Sequence, residues 1–178
     1  MAIDPLRTAR GAFAGAVAAG VWAVQQPLDK RIFGVDYDDA EILGKLVTRG
    51  RTWPLVGTVL HMTNGALFGA VYANVAPRTR VPSWARGPLA GLAEHASTWP
   101  LTPLVDRFHP ARHELPALAT NAAAFAQATW RHLLFGTVLG VLDRRLNPPD
   151  GDEGLGYEHI LSSNGHGDIE QAVGAGRG

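Results

Sequence analysis

Charge is unevenly spread along this chain, and its gaps predict the architecture. Residues 11–28 contain no Asp, Glu, Lys or Arg, and residues 52–77 contain none either, though they include the titratable His61. A helix needs about 20 mostly apolar residues to cross a bilayer. The two gaps therefore predict spanning helices near 8–28 and 54–76. Residues 54–76 offer no continuous polar face to water, as a soluble amphipathic helix would. Arg7 and Arg10 precede the first run in the manner of a signal peptide, but no small-residue cleavage site follows, so the helix is read as retained.

Two further runs are interrupted. One lies near 84–105 and contains Glu94 and His95; the other lies near 115–142 and contains Arg131 and His132. A charge at the centre of a spanning helix costs about 2.5–3.5 kcal/mol on insertion scales. The rest of each segment, or a partner charge, must offset that.

An internal repeat supports four helices. Gly11 and Gly15 are followed by Pro27-Leu28-Asp29-Lys30-Arg31, and Gly87 and Gly91 by Pro103-Leu104-Val105-Asp106-Arg107. Leu67-Phe68-Gly69-Ala70-Val71 parallels Leu134-Phe135-Gly136-Thr137-Val138. The fold class expected is all-α integral membrane, a tandem repeat of two helical hairpins with both units pointing the same way. Gly-x-x-x-Gly in both odd-numbered segments favours close helix contact in lipid. A soluble Ala-rich helical bundle is the alternative.

Between the first two helices, Asp36-Tyr37-Asp38-Asp39-Ala40-Glu41 leads into Ile42, Leu43, Leu46 and Val47 at helical spacing. Acidic residues first and Lys45 later suit the helix dipole. A short amphipathic helix lying at the membrane interface is expected there. Residues 1–146 then form the four-helix domain. Residues 147–178, with Pro148-Pro149 and many glycines, read as a disordered polar tail.

Composition narrows the function. Sixteen Lys and Arg balance 16 Asp and Glu, so no basic excess points to nucleic acid. There is no cysteine, which excludes disulfides, thiolate metal sites and a cysteine nucleophile. The lipid bilayer is the expected partner and the cell membrane the expected location, with a homo-oligomer or a membrane protein partner as further partners. Basic residues are evenly divided between the two ends of the bundle, and the compact Arg-flanked termini favour the cytoplasm for both.

The candidate chemistry is a polar layer at one depth. Glu94, in the third helix, and Arg131, in the antiparallel fourth, fall at similar heights, with Asn64, His95 and His132 beside them. Intramembrane ionisable residues face the bundle interior and pair, which predicts a Glu94–Arg131 ion pair. Such a layer either fixes helix register or forms a minor proton or solute path, with histidine as relay. A haem b redox subunit is the rival, with His61, His95 and His132 as axial candidates. His109 and His113 have the spacing of a zinc pair, but Pro110 between them breaks the helix such a pair needs. No phosphate-binding glycine loop or Ser–His–Asp arrangement stands out, so no catalytic residue is assigned and enzymatic activity is not expected.

Overall fold

The computed structural model describes residues 4–148. Among them all regular structure is helical: α1 Pro5–Phe33, α2 Asp39–Val47, α3 Trp53–Val75, α4 Ser83–Thr98, α5 Thr102–Phe108 and α6 Ala122–Leu146. Short 3-10 turns follow α3 and join α4 to α5. The tail expected over 147–178 lies outside the described residues, apart from Asn147 and Pro148.

Local chemistry sets most of the ends. Asp4 caps α1, accepting the Leu6 and Arg7 N–H groups, with Pro5 at the first helical position. Gly34 closes α1 in the left-handed conformation at φ 68°, which glycine adopts without strain. The fourth helix begins later than the sequence suggests, because Asn121 caps it through the Ala123 and Ala124 N–H groups. Residues 109–121 before it form a loop, pinned where the Asp106 carboxylate accepts from Leu118 N at 3.0 Å and Ala119 N at 2.9 Å. The third segment is not one helix either. It breaks at Pro100 and Pro103, leaving α4 with 16 residues and α5 with 7.

The long helices pack in the order α3–α1–α6–α4, and α3 and α4 scarcely touch. Glycine makes the tightest contacts. A Cβ on Gly15 would strike the Gly65 carbonyl oxygen, and one on Gly11 would strike that of Gly69. Between α4 and α6 the same holds for Gly91 against the His132 carbonyl and Gly87 against that of Gly136. The register is shared. Positions 11 and 15 stand to 65, 69 and 73 as 87 and 91 stand to 132, 136 and 140, a shift of 76 on one helix (87 − 11) and 67 on the other (136 − 69).

α2 is present where expected but does not lie flat on a surface. Gly44 packs against the first turn of α3, and Gly57 against the Ala40 carbonyl. Its N-terminal Asp39 accepts from Trp22 Nε1 at 3.2 Å. Trp22 is 11 residues (33 − 22) before the end of α1, or about 16 Å along the axis. The chain after α1 therefore turns back into the bundle before α2 begins.

Large polar side chains are buried beside an apolar core of Trp22, Tyr72, Phe135 and Leu139, and large apolar ones lie outside. Arg131, Leu139, Gln127 and Asp29 are the largest fully buried side chains. Val24, at 83% exposed, Trp84, at 73%, and Leu55, at 69%, face outward, with Leu67, Val71 and Leu89. Outward-facing Thr58, Thr63 and Thr137 each donate to a carbonyl four residues back, leaving no hydroxyl hydrogen that needs water. Among the described residues one helical run, Trp53–Arg78, is long and apolar enough to cross a membrane by length and composition.

Candidate functional site

Apart from a buried Asp143–Asn147 pair at the end of α6, the main polar residues inside the bundle fall into two groups. The first is built around Arg131 on α6, which is completely buried. Its Nε and Nη2 donate to the two oxygens of Asp29 at 2.7 and 2.6 Å, a bidentate pair with α1. Nη1 donates to Asp39 at 2.9 Å, and Nη2 also to the Tyr37 carbonyl at 3.0 Å. The guanidinium lies over the Tyr37 ring, 4.9 Å from its centre. Asp29 also accepts from Gln127 at 2.7 Å and Gln25 at 2.5 Å, and Asp39 from the Tyr37 hydroxyl at 2.5 Å. Each carboxylate is thus held by several donors, as a buried charge requires.

The expected Glu94–Arg131 pair does not form. The match in depth is sound, but successive helical residues point about 100° apart. Arg131 turns towards α1 and α2, while His132 turns towards α4. Glu94 meets His132 instead, with Oε2 3.5 Å from Nε2.

The second group surrounds a cavity of about 210 Å³ between α2, α3, α4 and α6. His61, Asn64, Glu94, His95 and His132 all line it, and Trp22 and Trp99 form part of its wall. The Trp22 ring stands edge-on to His61 at 5.1 Å and to His132 at 4.8 Å. Five of the sequence candidates are therefore brought together, with Arg131 just behind the wall formed by Tyr37 and Asp39.

Hydrogen bonds fix the histidine tautomers. Thr129 Oγ1 donates to the Phe125 carbonyl, so it accepts from His95 Nε2 at 2.9 Å. His95 Nδ1 is then a bare acceptor, buried and without a partner. His61 Nε2 is buried and without a partner too. His132 Nδ1 donates to the Ala128 carbonyl at 2.8 Å. A neutral His132 would present a lone pair to Glu94, so the contact is attractive only with a proton on one of the two. The Glu94–His132 pair is a built-in place for one proton.

Of the haem ligand candidates, His95 and His132 pack against each other, with rings 4.9 Å apart and planes 38° from parallel, and His61 and His132 each stand against Trp22. The zinc pair is not assembled. His109 Nδ1 accepts from Ala111 N at 3.1 Å, so its Nε2 donates to the Ile42 carbonyl at 3.0 Å, and His113 is exposed. Among the described residues no group of three or more His, Asp or Glu has the geometry to hold a metal ion.

Asp29, Asp39, Gln127, Trp22 and Tyr37 are the site residues that sequence reasoning missed. Asp29 sits at the edge of an uncharged run, and Asp39 sits in an acidic connection with the look of a solvated loop. The signal available was the pair Gln25-Gln26 one turn before Asp29, polar residues inside an otherwise apolar helix. Comparison with protein-family models, with curated proteins and with solved structures gives no match.

Proposed function

We propose that the chain is a multi-pass protein of the cell membrane, and that its histidine–glutamate cavity binds and passes protons or a small polar solute. In this reading α1, α3, the α4–α5 segment and α6 are the four spanning elements of two tandem hairpins. The Arg131 cluster locks α1, α2 and α6 together. The observation that carries the reading is the set of large apolar side chains on the outer faces, Val, Leu and Trp, combined with charged and amide side chains buried beside the apolar core and glycine at the helix contacts. A soluble bundle would leave those outer faces in water. The equal glycine registers of α1–α3 and α4–α6 support the tandem repeat. The Glu94–His132 contact, with the bare nitrogens of His61 and His95 nearby, supports the path.

Membrane extraction tests the first claim. The protein should stay with the membrane pellet in alkaline carbonate and enter solution only with detergent; release by carbonate alone would overturn it. Proteoliposomes containing a pH-sensitive dye test the second. Proton flux in the native protein should fall at least about tenfold in Glu94→Gln and remain unchanged in Arg112→Gln, a substitution of an exposed residue in the 109–121 loop. Equal flux in all three, or none in the native protein, removes the path and leaves the layer with a structural role.

A further inference from the structure

The two ends of the bundle carry their basic residues differently. At the end where α2 meets the 109–121 loop, Lys30 pairs with Asp36 and Asp38, Lys45 with Glu41 and Glu114, and Arg49 with Glu114. At the other end lie Arg7 and Arg10, Arg78, Arg80 and Arg86, and Arg144 and Arg145. Cross-connections identify that end: Arg7 Nε donates to the Ala73 carbonyl at 2.7 Å, and Arg144 to the Ser83 carbonyl at 2.9 Å. Among the described residues no carboxylate lies within ion-pair distance of any of these arginines. Among the described residues all seven cations at this end are thus without an ion pair, against four, Arg31, Arg51, Arg107 and Arg112, of the seven at the other.

The same end holds the mouth of a groove. Because α3 and α4 scarcely touch, an apolar cavity of about 290 Å³ runs between them. Val71, Val75, Leu89 and Ala90 line its walls, Phe68 is shared with the histidine cavity, and Arg86 lines it too, its Nε donating to the Val81 carbonyl at 2.9 Å. Arg78 and Arg80, both exposed, flank Thr79 on the turn that also borders the groove. Trp84, at 73% exposed, stands beside them on the outer face, where an aromatic anchor meets lipid headgroups.

We propose that the α3–α4 groove holds one chain of an anionic phospholipid, whose phosphate is bound by Arg86 with Arg78 or Arg80. Charge complementarity selects this occupant. The walls take an acyl chain, and the arginines offer guanidinium groups matched to phosphate geometry. Basic pockets between spanning helices on the cytoplasmic side bind such lipids, so the termini then face the cytoplasm and its anionic leaflet. The inference rests on the membrane reading above, which carbonate extraction tests separately.

The experiment uses the full chain in nanodiscs made from equal parts phosphatidylglycerol and phosphatidylcholine. Lipid retained after mild detergent exchange is counted by native mass spectrometry. The native protein should retain about one phosphatidylglycerol, at least about tenfold over phosphatidylcholine. The double variant Arg80→Gln/Arg86→Gln should lose that preference while keeping its melting temperature. Val75→Trp, which fills the groove, should lose retention of both lipids. Soluble glycerol phosphate should not compete at concentrations where phosphatidylglycerol does, which separates a lipid site from a phosphate site. Equal retention of the two lipids by the native protein overturns the proposal. So does efficient disulfide formation between copies carrying Leu89→Cys, since the native chain has no cysteine and a second copy would then fill the groove.

Discussion

Depth along the helices pairs Arg131 with Glu94, and depth is the one coordinate that residue number supplies. Height follows from position in the chain at 1.5 Å per residue. Azimuth does not, because it depends on how each helix is rolled against its neighbours. Arg131 therefore finds Asp29 and Asp39, and Glu94 finds His132. Removing Arg131 strands the buried Asp29 carboxylate and leaves the part-buried Asp39 without its cation. Arg131→Ala should cost about 3–5 kcal/mol, measured as a lowered melting temperature in detergent. Arg131→Ala/Asp29→Asn should recover part of that loss, and a double variant worse than the single would contradict the pairing. His109 teaches the same lesson: its spacing from His113 suggests a ligand, but both its ring nitrogens are occupied by backbone groups.

The helices themselves were legible. Uncharged runs located α1 and α3 to within a few residues of their ends. The Gly-x-x-x-Gly pairs marked where the backbones meet, since side chains there would collide with carbonyl oxygens. Gly15→Leu and Gly91→Leu should each separate a helix pair and lower the melting temperature strongly. Gly20→Ala, whose added Cβ would meet nothing within 4 Å, should be neutral or slightly stabilising through its gain in helix propensity, about 1 kcal/mol at most. Thermal unfolding in detergent followed by circular dichroism checks all three. Less legible were the break at Pro100 and Pro103 and the late start of α6, where the Asn121 cap and the Asp106 hydrogen bonds to the preceding loop outweigh an apolar pattern.

Lys45 and Arg49 tie α2 and the turn after it to the 109–121 loop through Glu114. These two cations lower the Glu114 pKa to about 2. A carboxylate with a depressed folded-state pKa contributes above its ordinary value, 4.5, and its contribution is lost as pH falls through about 2. The tie should thus hold at all mildly acidic pH values. Glu114→Gln should release it at pH 7, seen as faster hydrogen exchange in 109–121 relative to intrinsic rates. The native loop should behave that way only near pH 2, or partly in about 1 M salt, which screens exposed charges. Unchanged exchange in the variant would mean that His109 and Leu118 hold the loop alone.

For the whole molecule, the chain by itself determined an all-helical fold, the positions of its apolar segments and the glycine seams within each pair. These are properties of neighbouring residues: periodicity, length and the absence of a side chain. The tertiary structure decided which polar residues meet. It turned the segment after α1 back into the bundle to bring Asp39 to Arg131, gathered three histidines from α3, α4 and α6 around one cavity, and left α3 apart from α4. Those outcomes depend on helix roll and on contacts between residues far apart in the chain, such as Asp29 with Arg131, 102 residues apart. No local pattern carries such information, because the same sequence of polar and apolar positions is compatible with several rotations of each helix.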